Sequence, residues 1–140
     1  MRHVFGRLTP ACLGVLMAAV LVTVATGRVA GQADAADLKA ALMAEGQAVF
    51  GAECTTCHGA DGTSDVGPAL AGNASMAVTD FVIKRLLQGV ADMPAFASSL
   101  TDRQIAAVGT FVRNSWENAH GIVPEADVTR LRAELARTSK

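Results

Sequence analysis

Aromatic side chains are scarce in this 140-residue chain, which has five phenylalanines, one tryptophan and no tyrosine. The large rings that usually dominate a core are therefore few, although 51% of the residues are hydrophobic. A small domain of this kind buries little surface by itself. Cysteine is sparse too, with three residues at positions 12, 54 and 57. No second Cys-x-x-Cys and no His-x-x-x-His exists to complete a four-ligand zinc site. Nor is there a surplus of positive charge, because 12 Lys and Arg against 13 Asp and Glu leave a formal net charge of −1. That balance does not resemble a basic nucleic-acid surface. Alternating strand patterns, internal repeats and low-complexity tracts are also missing, which leaves one all-α domain as the expectation at this length.

The N-terminus reads as a targeting segment. Arg2, His3 and Arg7 make a basic start, and Ala11 to Ala25 form an apolar run without a charge. Small residues at Gly31-Gln32-Ala33 offer a cleavage site. Residues 1–33 are thus expected to be a secretory signal peptide, with an uncleaved anchor as the alternative, although the run is short for a spanning helix. Cleavage would remove Cys12 and the three arginines at 2, 7 and 28, taking the formal charge from −1 to −4.

What the chain does have is Cys54-Thr55-Thr56-Cys57-His58. Two cysteines three apart fall on neighbouring positions of a helical turn, and a histidine follows at once. This is the spacing for c-type haem attachment. Each thiol adds to one haem vinyl group to form a thioether, and the histidine is held where its imidazole can bind the iron. The rival readings of a bare CxxC are a thioredoxin-like pair, half a zinc site or a disulfide, and none of them requires the histidine. One covalently attached haem would also supply the large apolar body that the composition lacks.

Around this motif the spacing predicts four helices. The first follows a short frayed lead-in at 34–37 and has apolar positions Leu38, Ala41, Leu42, Val49 and Phe50, ending near Glu53. Gly46 within it costs helix propensity and is expected to serve close packing. Residues 59–75, rich in Gly, Asp and Asn, read as a long loop that wraps a haem edge. A second helix starts at Thr79-Asp80 and stops at Gly89. After a loop from Val90 to Leu100, Thr101-x-x-Gln104 forms a capping box for a third, with Ile105, Val108, Phe111 and Val112 on one face. The fourth runs from about Glu125 to Arg137, with Val128, Leu131 and Leu135 on one side and arginines on the other.

The sixth iron ligand decides the function class, because two strong ligands permit only electron transfer while an open position binds gases or peroxide. The candidates are Met43, Met76, Met93 and His120. Met43 reads as core filler, Met76 as a residue in a linker without rigid neighbours, and His120 as a solvent-exposed side chain. Met93 is favoured because Pro94 restricts its backbone to extended conformations. A haem enzyme or gas sensor with an open site is the alternative class, although no distal histidine–arginine pair supports peroxide cleavage. A third is an assembly subunit whose haem relays electrons within a larger enzyme.

These residues resemble a small bacterial monohaem class I cytochrome c. The likeness runs from Gly46-x-x-x-Phe50-x-x-x-Cys54-x-x-Cys57-His58 through Gly67-Pro68-Ala69-Leu70 and Met93-Pro94 to Phe111-Val112-Arg113-Asn114-Ser115-Trp116. The last stretch is similar to cytochrome subunits or domains of periplasmic dehydrogenases and reductases, with Glu117 where glycine is usual. The resemblance implies a cytochrome c fold over residues 34–140. Haem would be held by Cys54 and Cys57, with His58 and Met93 axial and the Pro68 carbonyl on the His58 ring N–H. Gly46 and Phe50 would cross the closing helix near Val108 and Phe111. It further implies periplasmic one-electron transfer between a dehydrogenase or respiratory complex and an oxidase or reductase, with no catalytic residue. Its partners would be redox proteins and no nucleic acid, with a membrane only if the N-terminal segment stays uncleaved.

Overall fold

The computed structural model describes residues 32, 34–64 and 66–138. The proposed signal segment lies outside these residues, apart from Gln32. Among the described residues no helix is long and apolar enough to cross a membrane. The chain divides at Asp37/Leu38 into two units, and the second is described here by itself.

From Leu38 onward the architecture is all-α. Helix α1 covers 38–53, and residues 34–37 are helical as well rather than a frayed lead-in. The others are α2 (Thr55–His58), α3 (Thr79–Gln88), α4 (Asp102–Asn114) and α5 (Glu125–Thr138), with a 3₁₀ turn at Ala74–Ala77. Expected boundaries and found boundaries differ by one or two residues. The 3₁₀ turn was not expected. It forms because the Asn73 side chain accepts the Ser75 N–H at 2.9 Å and so caps the turn.

Helices α3, α4 and α5 pack on one another, and their apolar stripes meet in one core. Ile83, Ile105, Val108, Val128 and Leu131 are fully enclosed there. Leu42, Val49 and Phe50 supply the α1 face, whereas Leu38, expected on that face, is 43% exposed. Half of the chain's six aromatic rings gather at one junction. Phe50 lies 5.3 Å from both Phe111 and Trp116, and those two are 5.7 Å apart. Edge and tilted ring pairs of this kind contribute roughly 0.5–1.5 kcal/mol each beyond their burial. The Trp116 indole N–H also donates to the Ala60 carbonyl at 3.3 Å, tying the loop after α2 to the end of α4.

The α4 capping box closes as its sequence implies: Gln104 N–H donates to Thr101 Oγ1 at 3.2 Å, and Thr101 N–H to Gln104 Oε1 at 3.0 Å. The next residue, Asp102, joins α4 to α5. Its Oδ1 accepts from Arg132 Nε and its Oδ2 from Thr129 Oγ1, each at 2.6 Å. Burial pushes the Asp102 carboxyl up, but the bonds from Thr129 and Arg132, with the Arg132 charge, outweigh it and hold the group below its ordinary 3.8. A carboxylate whose folded pKa is depressed adds stability above its unfolded pKa and loses it as pH falls through the folded value. Asp102→Asn is therefore expected to cost about 1–2 kcal/mol at neutral pH. Its urea midpoint should converge on that of the wild type as pH falls below about 4. A gap that stays constant down to pH 2 would refute this role.

Candidate functional site

Cys54, Cys57 and His58 sit on one tight turn at the end of α1. Cys54 caps α2, and the His58 N–H donates back to the Cys54 carbonyl at 3.0 Å. Cys54 is half-buried and Cys57 exposed, and both are free thiols. Burial first, then the nearby Glu53 and Cys57, push the Cys54 thiol up to about 11.

The His58 ring is oriented by the chain ten residues on. Its Nδ1 lies 3.1 Å from the Pro68 carbonyl oxygen. A carbonyl oxygen only accepts, so the proton sits on Nδ1 and the Nε2 lone pair is left available for a metal. The Pro68 segment is itself anchored, because the Gly67 N–H donates to the Cys57 carbonyl at 2.8 Å. Further along, the buried Asn118 amide bridges the Leu70 and Val112 carbonyls, each at 2.8 Å, and fixes this loop to α4.

Beside His58 open two adjoining cavities of ≈ 320 and ≈ 390 Å³. The inner one is walled by Phe50, Leu70, Met76, Phe81, Val82, Leu86, Val108 and Val112, with Asn73, Ser75 and Arg85 as its other polar neighbours. The outer one meets Glu53, Cys57, Val66, Asp92 and Pro94. Five residues line both: Cys54, His58, Pro68, Val90 and Met93. A flat apolar group tethered at Cys54 and Cys57 would extend into both cavities, which these five residues line in common. Apolar walls, two thiols and an oriented imidazole suit a c-type haem.

Met93 is held by backbone geometry that neither its own residue type nor Pro94 announces. It pairs with Val90 through two bonds, Met93 N–H to Val90 O at 2.9 Å and Val90 N–H to Met93 O at 3.1 Å. Ala91 completes that tight turn at φ +49°, a left-handed conformation that costs a non-glycine residue roughly 1–2 kcal/mol. At Gly89, φ is +67° and a Cβ would lie 2.3 Å from the Met93 carbonyl oxygen, so only glycine fits there.

The structure separates the other candidates for the sixth position. His120 and Met43 line neither cavity. Met76 does not sit in a loose linker: it is 6% exposed in the capped 3₁₀ turn and lines the inner cavity only. Arg113 escaped notice in the sequence. It is 3% exposed, and its guanidinium donates to the carbonyls of His120 at 2.5 Å, Ala77 at 3.3 Å and Gly121 at 3.5 Å. Among the described residues no carboxylate pairs with it, and burial pushes its pKa below the ordinary value.

The chain is similar to several known proteins. The family model described as "Cytochrome C oxidase, cbb3-type, subunit III" matches residues 41–112. The cytochrome c subunits of alcohol dehydrogenase (quinone) from Gluconacetobacter polyoxogenes and Komagataeibacter europaeus are each 35% identical over 96 residues. That match takes in 57% of this chain but 20% of each subunit. Cytochrome c6 of Rippkaea orientalis is 41% identical over 76 residues, 49% of this chain and 67% of that protein.

Proposed function

This chain belongs to the c-type cytochrome family described as cytochrome c oxidase, cbb3-type, subunit III, and on that premise we propose how its residues serve electron transfer. It carries a covalently bound c-type haem, and the bound haem supplies a one-electron Fe(III)/Fe(II) couple. Cys54 and Cys57 hold the group as thioethers. His58 would offer Nε2 to the iron, kept in that tautomer by the bond from Nδ1–H to Pro68 O. Met93 would supply a thioether as the second protein ligand, a soft sulfur that favours Fe(II) and raises the reduction potential. The observation that carries this assignment is that, among the described residues, Met93 is the one methionine that lines both cavities together with His58. No residue need move a proton, so the protein acts as a carrier rather than an enzyme.

Optical spectra of the purified holoprotein test the assignment. The oxidised form should show the weak sulfur-to-iron band at the red end, and Met93→Ala should abolish it and let the reduced protein bind carbon monoxide at once. A wild type that lacks the band and binds carbon monoxide has an open sixth position, and the gas-sensor or enzyme reading then replaces this one.

In the cell the protein would sit in the periplasm, exported by residues 1–33 or anchored by them. There it would take electrons from a dehydrogenase or respiratory complex and pass them to an oxidase or reductase. Two of its relatives are the cytochrome subunits of quinone alcohol dehydrogenases, which supports a dehydrogenase as donor. The charge of −4 after cleavage suits a partner with a basic docking patch. Association with that partner should slow by about tenfold or more between low and physiological ionic strength. A rate that does not respond to salt rules out the steering.

A further inference from the structure

The segment that carries Met93 is tied down at its far end by a helix beyond the stretch matched by the family model. Residues 97–99 are exposed, and within 94–99 only Phe96 is buried, its N–H donating to the Leu86 carbonyl at 2.9 Å. Apolar packing therefore gives this strip little hold. Arg132 of α5 provides another. Its NH2 donates to the Leu100 carbonyl at 3.1 Å, its NH1 to the Ala97 carbonyl, and its Nε to Asp102 Oδ1 at 2.6 Å. Three directions of the guanidinium fork are thus occupied, which no other side chain could reproduce. The fork is also presented from a rigid base, since Val128 and Leu131 of the same helix are 0% and 1% exposed in the core.

We propose that Arg132 is a latch on the Met93 loop, a positioning residue that keeps the sixth coordination position closed. The inference rests on Met93 as the axial ligand. With Arg132 in place, the loop is pinned at the Val90–Met93 turn, at Phe96 and at Ala97–Leu100. Without it, the strip after Phe96 loses its tie to α5 and keeps only the local turn in which the Ser99 and Leu100 N–H groups donate to the Phe96 carbonyl at 3.3 and 3.0 Å, and Met93 leaves the iron more often. An outside ligand reports that opening, because its apparent affinity scales with the fraction of molecules whose site is open.

The test is an imidazole titration of the oxidised holoprotein, followed by loss of the sulfur-to-iron band. Arg132→Ala should bind imidazole about tenfold more tightly than the wild type. Arg132→Lys, which keeps the charge but not the fork, should fall between them. Arg130→Ala is the control, because Arg130, on the surface of the same helix, pairs with Asp127 and Glu134 of α5 and with Asp80 of α3, away from residues 97–100. It should leave the affinity unchanged. If Arg132→Ala does not hold haem, Asp102→Asn weakens the latch more gently and should still tighten imidazole binding. An unchanged affinity in the Arg132 variants overturns the latch, and so does an equal rise in Arg130→Ala. A wild type without the band overturns the Met93 assignment and the latch together, whereas a normal band with unaltered variants sinks only the latch.

Discussion

Gly46→Ala should lower the stability of the holoprotein by about 2–4 kcal/mol, although the same exchange in an isolated helix would add about 1 kcal/mol. The reason is the crossing of α1 and α4. A Cβ at position 46 would lie 2.1 Å from the Ala107 carbonyl oxygen, 2.6 Å from its carbon and 2.7 Å from Phe111 Cβ. Two of these atoms are helix backbone and cannot rotate away. The helices must therefore move apart, and the Phe50–Phe111 ring contact at 5.3 Å opens with them. The propensity gain is smaller than the typical overpacking cost of 1–3 kcal/mol, which grows where backbone must shift. In a domain of this size the change amounts to roughly 10 °C or more in the melting temperature. Differential scanning calorimetry of the oxidised protein measures it. A melting temperature within a degree or two of the wild type would mean that the crossing is looser than these distances imply.

Arg113→Leu is the second large effect, a loss of about 2–4 kcal/mol. Replacing a buried charge by an apolar side chain can be neutral when its partners are replaced as well. Here they stay. The carbonyls of Ala77 and His120 belong to the backbone and would be left without the guanidinium that satisfies them, whereas the Gly121 carbonyl keeps the Asn114 amide at 2.8 Å. An acceptor left unpaired costs about 1–3 kcal/mol when buried, and the two half-covered carbonyls together outweigh the relief of no longer burying a cation. Losing these bonds also frees the 3₁₀ turn that places Met76 on the cavity wall. Arg113→Lys should recover only part of the loss, since one ammonium cannot span three carbonyls from two segments. Urea unfolding of both variants decides the matter. A leucine variant within about 1 kcal/mol of the wild type would show that water reaches these carbonyls and replaces the side chain.

The sequence by itself determined the features that rest on near neighbours. Cys54-x-x-Cys57-His58 is one helical turn by spacing alone, Thr101 and Gln104 cap α4 across three residues, and the period of Ile105, Val108 and Val112 marks a buried face. Local geometry reaches that far because caps and helical faces involve groups a few residues apart. The tertiary structure decided what depends on contacts between distant segments. Arg113, near the end of α4, and Arg132, in the middle of α5, look in sequence like solvated arginines. What distinguishes them is the set of carbonyls that folding brings to them, 35 residues away for Arg132 and Ala97, 36 for Arg113 and Ala77. Met76 changed for a related reason, because Asn73 caps its turn locally while α4 holds the turn from the far side. Met93 and Met76 are the same side chain to any pattern of hydrophobicity. The shape of the two cavities, built from α1, α3, α4 and the loops between them, lets Met93 line both together with His58 and leaves Met76 on the inner wall alone.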